Sequence, residues 1–363
     1  MKTLAMLFVI YCSSVGSQAL AQNPGCERDS AQQCLSRAFE AMGGKEPLQQ
    51  IHAIRFDSVG HTLLMEQSYR QDPFITSYQR ATTTLDLAGQ RMTDEVRLTW
   101  PESDDDQFES TTIKVVGPDG GVRRGKDGDT PCPLFDIDDA RYWLALGPVS
   151  VLLNAAAAPD LHFDTSETLR STPHAVLAFS WQGSPVRVLL NPFNHLPDVV
   201  ETTRVFHDFW FFWGDVKQRV YFDNWKLMRG VDLPTNWIEE RNGKMWRSRQ
   251  LLKIELNPPV SEADFAMNSA VAHRSAESPG WKRSFRGENV NSLAPGIDFF
   301  PGPWNSTIVK QSDGIVILEA PISERYTQGI FAETQKRYPG LPIKAVLSTS
   351  DSWPHVGGVR FAV

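Results

Sequence analysis

The sequence predicts an α+β protein in which a curved antiparallel β-sheet with a few helices comes first and a smaller layered α/β unit follows. Three observations carry this expectation. Short apolar and β-branched runs separated by turn residues recur from Ile51 to Leu256, the mark of sequential strands in an antiparallel sheet. Only a few stretches carry helical spacing instead. The pattern then lapses over residues 274–292 and resumes as hairpin, helix and strand, an order expected of a layered α/β unit.

The first residues read as an export signal. Lys2 precedes the apolar run Leu4–Tyr11, and small residues lead to Ala19-Leu-Ala21, an A-x-A cleavage pattern. We assign residues 1–21 to a signal peptide and expect a periplasmic or secreted chain starting at Gln22. The run is shorter than the roughly 20 residues that span a bilayer. Export places Cys26, Cys34 and Cys132 in an oxidising compartment. Cys26 and Cys34 could close a small loop, leaving Cys132 unpaired, or the three could pair differently. Without a C-x-x-C they make no zinc site. The formal charge of −7 gives no broad basic surface, so no nucleic-acid partner is expected.

A helix opens the mature chain: Leu35, Ala38, Phe39 and Met42 share one face, Ser30 can cap it, and Gly43-Gly44 stops it. Strands are expected at 51–64, 82–87, 91–100 and 110–116, then helices at 138–146 and 149–157 joined at Gly147-Pro148. A meander follows at 175–181, 186–190, 199–206, 216–225, 236–240 and 245–256. Asp119–Asp129 lacks the G-x-x-x-x-G-K-[ST] pattern of a phosphate loop and reads as a hairpin loop. Asp104-Asp-Asp106 reads as an acidic turn, since no alternating oxygen ligands follow it. The aromatic run Phe206–Trp213 has two readings, the wall of an apolar ligand cavity or a core strand with its loop. His207 within it has no metal-ligand spacing around it.

These signals set domain boundaries at 22–273 for the sheet unit, 274–292 for a linker carrying the basic aromatic patch Trp281–Phe285, and 293–363 for the second unit. In the last, a strand is expected at 296–300 and a hairpin at 306–310 and 314–318. A helix capped by Ser323 carries Ile330, Phe331 and Thr334 on one face, and a buried strand at 343–347 runs into Thr349–Gly358.

In this C-terminal part the runs Leu293–Ile297, Trp304–Val309, Asp313–Pro321, Pro339–Thr349 and His355-Val-Gly-Gly358 resemble the N-terminal half of the αββα fold of metallo-β-lactamase-type hydrolases. The upstream sheet, with Gly230-Val-Asp-Leu-Pro234, is similar to the extra domain that precedes that fold in some exported members. It is also similar to the curved sheets of periplasmic lipoprotein carriers. The resemblance implies a zinc-binding H-x-H-x-D-H loop after the strand. Residue by residue, Ser350, Ser352 and Pro354 stand where three ligands belong, and only His355 matches. A serine hydroxyl is not ionised near neutral pH, and proline has no side-chain donor. The resemblance therefore implies a hydrolase-family chain without the usual zinc-dependent activity, with His355 and Asp351 as the candidate catalytic residues and His355 as the one metal-ligand position. Asp351 and His355 at i, i+4 could begin a metal site. Pro354 in the first turn of a helix capped by Ser352 or Asp351 explains the same residues without one.

No cofactor is expected, with zinc the candidate if there is one. The fold's missing second half implies either a truncated frame or a partner chain over the strands at 315–318 and 343–347. The other functional reading is a non-catalytic periplasmic module that binds an apolar small molecule or lipid in its N-terminal sheet.

Overall fold

The structure is a computed structural model that describes residues 23–64, 74–100, 110–206, 215–274, 285, 287, 290–350 and 353–363. Residues 1–21, expected to be a signal peptide, Asp104–Asp106, residues 207–213 of the aromatic run, Asp351 and Ser352 lie outside these. Among the described residues no helix is long and apolar enough to cross a membrane.

Ser30 caps α1 (Ala31–Ala41) with a reciprocal capping box to Gln33, as its spacing predicts. Cys26 and Cys34 form a disulfide across the start of this helix. Gly43 ends it at φ +102°, and a Cβ there would lie 2.0 Å from the carbonyl oxygen of Gly230, so only glycine fits. α2 (Lys45–Gln49) then leads into β1 (Ala53–Leu63), β2 (Thr76–Asp86), β3 (Arg91–Thr99), β4 (Ser110–Gly117), β5 (Gly120–Gly125) and β6 (Gly128–Pro131). Two helices follow, α3 (Leu134–Leu146) and α4 (Ser150–Ala157), and then β7 (His162–Leu169), β8 (Thr172–Trp181), β9 (Ser184–Leu190), β10 (Pro197–Arg204), β11 (Val216–Met228), β12 (Val231–Arg241) and β13 (Lys244–Leu256).

Among the described residues these thirteen strands form one antiparallel sheet, ordered β6-β5-β4-β3-β2-β1-β13-β12-β11-β10-β9-β8-β7. Two meanders, β1 to β6 and β7 to β13, thus meet only where β1 pairs with β13, from Ile54↔Leu256 to Thr62↔Arg247. This order fixes where the helices go. β6 and β7 lie at opposite edges, so the chain between them has to cross the sheet, and α3 and α4 make that crossing over one face. With α1 they bury the main core, which includes Phe39, Met42, Tyr142, Trp143, Leu152, Phe222 and Trp237.

One expectation is corrected here, and one strand goes unforeseen. Asp119–Asp129 is not a loop: it holds β5 and the start of β6, which pair from Val122↔Pro131 to Gly125↔Gly128. β7 carries polar residues at most positions and has no apolar alternation to reveal it; pairing with β8 makes it a strand.

The second sheet holds β14 (Asn291–Ala294), β15 (Ile297–Phe300), β16 (Ser306–Lys310), β17 (Ile315–Leu318) and β18 (Ile343–Leu347), in that order. β14 begins inside the segment expected to be a linker. The first three neighbouring pairs are antiparallel, and β17 pairs with β18 in parallel across α6 (Glu324–Arg337). Ser323 caps α6, and Ile330 and Thr334 face a core with Phe300, Ile308, Ile315 and Ile317. β18 was expected to be buried but is an edge strand, half-exposed, with Leu347 at 54%. Short helices α7 (Trp353–Val356) and α8 (Val359–Ala362) close the chain.

Candidate ligand-binding face

The helix-covered face of the large sheet has an apolar zone and a charged zone. In the apolar zone Ile54, Phe56, Leu85, Leu233, Trp237, Leu251 and Ile254 surround a cavity of about 20 Å³, closed from above by Pro148 and Val149 at the α3–α4 corner. The volume is about that needed for one water, but the walls are apolar. Trp143 of α3 stacks on Trp237 with centroids 4.5 Å apart, which ties the crossing helix to this zone.

The charged zone lies under the first turns of α3. Arg247 on β13 donates to Asp139 of α3 at 2.6 Å and to Glu239 on β12 at 2.8 Å. Glu239 also accepts from Gln218 at 2.5 Å. Burial pushes the Asp139 carboxyl up, but the Arg247 guanidinium beside it more than reverses this and holds it below the usual carboxylate range. One turn earlier on α3, Asp136 takes Lys114 at 2.9 Å and Arg123 at 2.6 Å. Asp94 accepts from Thr83 at 2.7 Å.

Arg249 stands apart from this pairing. It is 5% exposed, in phase along β13 with Arg247 and Leu251, and its Nε has no hydrogen-bond partner. Burial pulls its pKa down and the charge of Arg247 adds to that. Arg204 at the end of β10 likewise has an Nε without a partner among the described residues, and its Nη2 donates to the Gln218 side chain at 3.3 Å. Its guanidinium lies 4.2 Å over the Phe206 ring, and that of Arg241 lies 4.0 Å over the same ring. Phe206, the one described residue of the aromatic run, is therefore buried beneath two cations.

Sequence reasoning missed these arginines. The available signal was their phase: Arg247 and Arg249 alternate in step with Leu251, which puts them on the apolar face of the strand.

The C-terminal candidates sit elsewhere in the chain. His355 lies on α7 with its Nδ1 3.1 Å from Glu319 Oε2. Glu319 also accepts from the Thr349 hydroxyl at 2.5 Å, the Thr349 backbone at 2.9 Å and the Ser348 hydroxyl at 3.0 Å. Although burial raises its pKa, these hydrogen bonds hold it below its ordinary value. The Ser350 carbonyl accepts from Ser348 Oγ, and the Pro354 carbonyl accepts from the Ile322 amide. Gly358 packs where a Cβ would meet Thr327 Oγ1 at 1.9 Å. His355 is thus brought to one carboxylate, and among the described residues no three His, Cys, Asp or Glu side chains are grouped to hold a metal.

No family model matches the chain, and no curated protein matches it. Three solved structures show a loose likeness. A LolA superfamily protein from Nitrosomonas europaea aligns at TM-score 0.41 and 13% identity, over 65% of this chain and 97% of that one. A DUF1329 family protein from Desulfovibrio piger aligns at 0.36 and 11%, over 67% and 99%. LprF from Mycobacterium bovis aligns at 0.27 and 8%, over 64% and 94%. None of the three carries the metallo-β-lactamase name, and no family model supports it. The resemblance drawn from the C-terminal motifs, and the hydrolase reading built on it, are therefore overturned. Those motifs record a strand-helix-strand pattern that many layered α/β units share.

Proposed function

We propose that this chain is an exported, non-catalytic module that holds an apolar small molecule or lipid between the N-terminal sheet and the α3–α4 corner. One observation carries the reading: a wholly apolar cavity, walled by Phe56, Trp237, Leu251 and Ile254, lies under a corner formed by Pro148 and Val149. Ligand sites are typically concave and lined by apolar and aromatic side chains. The cavity is far smaller than a lipid tail, so the ligand enters by parting Pro148 and Val149 from Leu233 and Trp237. The signal segment at 1–21 supports export to the periplasm or beyond, and the Cys26–Cys34 disulfide fits an oxidising compartment.

The test is to purify the chain from the exported fraction and examine it by native mass spectrometry and solvent extraction. The purified protein is then titrated with the apolar fluorophore 1-N-phenylnaphthylamine. We expect a co-purified apolar molecule, and probe binding that weakens in Trp237→Ala. Extraction that yields no apolar molecule, together with no probe binding, refutes the reading.

A further inference from the structure

The apolar cavity ends against a row of hydrogen-bond donors that nothing among the described residues satisfies. Gln79 on β2 pairs with Gly60 on β1, Gly60 pairs with Arg249 on β13, and Arg249 pairs with Trp237 on β12. Three of the four residues in this row carry a buried nitrogen without a hydrogen-bond partner: Gln79 Nε2, Arg249 Nε and Trp237 Nε1. The fourth, Gly60, places no side chain between Gln79 and Arg249. Trp143, stacked on Trp237, adds a further unpartnered donor in its Nε1. All four orphans are N–H groups. A buried donor without an acceptor, and above all a buried guanidinium, carries a desolvation cost with nothing to offset it.

The nearby carboxylates do not fill this role. Asp139 and Glu239 are both taken by Arg247, Glu239 also by Gln218, and Asp94 accepts from Thr83. Arg249 therefore feels their charge at a distance but makes no hydrogen bond to any of them. It is also one residue pair from the cavity, because Trp237 and Leu251, its cross-strand partner and its same-face neighbour, both line it.

We propose that the ligand is an amphiphile with an acidic head, carboxylate or phosphate. Its head accepts hydrogen bonds from Arg249, Trp237 and Gln79, and its apolar chain lies along the cavity walled by Phe56 and Leu251. This rests on the apolar-ligand reading and adds the chemistry of the head. An acidic head supplies several acceptor lone pairs and one negative charge to a row that has donors and a surplus cation. A neutral alcohol of the same chain supplies neither in equal measure.

The experiment titrates the full mature chain with oleate, oleyl phosphate and oleyl alcohol, following tryptophan emission and calorimetric heat. An anion is expected to bind roughly ten-fold tighter than the alcohol, the scale of one charged hydrogen bond. The tighter of the two anions identifies the head. In Arg249→Met, which keeps the apolar stem, that preference is expected to vanish; Arg249→Lys is expected to keep part of it. Equal wild-type binding of all three ligands overturns the acidic head and leaves the apolar reading standing. So does an undiminished anion preference in a folded Arg249→Met. If none of the three binds, both readings fall together. Should Arg249→Met not fold, the three wild-type affinities decide alone.

Discussion

Trp143 on α3 lies flat on Trp237 of β12, with planes 16° from parallel. Phe56 and Phe222 meet Trp237 edge-on at 5.2 and 6.4 Å. This group clamps the crossing helix to the sheet at the edge of the apolar cavity. Trp143→Ala is expected to destabilise the protein by about 3–5 kcal/mol, read as a lowered urea midpoint. An unchanged midpoint would mean that α3 is held elsewhere.

Arg247 compensates the buried Glu239 and the half-buried Asp139 at once. Arg247→Met leaves Asp139 without its ion-pair partner and Glu239 with only Gln218 and the more distant Arg241 beside it, and is expected to cost about 3–5 kcal/mol near neutral pH. The sign of the pH dependence follows from Asp139, whose folded pKa lies below its ordinary value. Its contribution is present above the unfolded value of about 3.9 and is lost as pH falls through the folded one. The gap between wild type and Arg247→Met should therefore narrow in acid. Urea melts at pH 7 and pH 3 check this, and a gap that widens in acid contradicts it.

His174, 1% exposed, places Nε2 2.9 Å from Asp198 Oδ2 and Nδ1 2.8 Å from the Thr172 carbonyl. Burial lowers its pKa, but the bonds to Asp198 and Thr172 outweigh that and the net shift is upward. A raised folded pKa gives stability that is full below about 6.5 and lost as pH rises through the folded value. Asp198→Asn is expected to lose about 1–3 kcal/mol at pH 5.5 and to approach wild type by pH 9. Parallel melting curves at both pH values would contradict the assignment.

Cys132 is buried and free, and burial, with Asp136 nearby, pushes its thiol up to about 12. Thiolate is the reactive species, so a disulfide-exchange reagent at pH 8 should find no thiol in the folded mature chain. One should titrate once the chain is unfolded without reductant. Rapid reaction in the folded state would show that the site is open.

How much was legible in the sequence differs between the two sheets' outlines and their interiors. α1 announced itself through Ser30, Gly43 and its apolar spacing, and the β8 to β13 meander through alternating runs. β5 and β6 were hidden because glycine and polar residues dominate them, and only pairing, β5 with β4 and β6 with β5, makes them strands. The charged zone was hidden for a different reason. Asp139 and Arg247 are 108 residues apart, and nothing local says that α3 will lie across β13. The row of Gln79, Gly60, Arg249 and Trp237 draws on four strands, so it exists only once the register is set. The C-terminal resemblance failed on the opposite side: its motifs were local, and local strand-helix-strand patterns do not distinguish one layered unit from another.

The seam between β1 and β13 bears on how the chain folds. Each meander is built from neighbouring segments, which close quickly, whereas the seam joins residues about two hundred positions apart and must bear the loop entropy of everything between. Its hydrogen bonds are therefore expected to be among the last to gain protection in pulse-labelled refolding. Arg249 sits on that seam, opposite Gly60. A ligand that reaches it would join the two halves of the sheet and slow their parting.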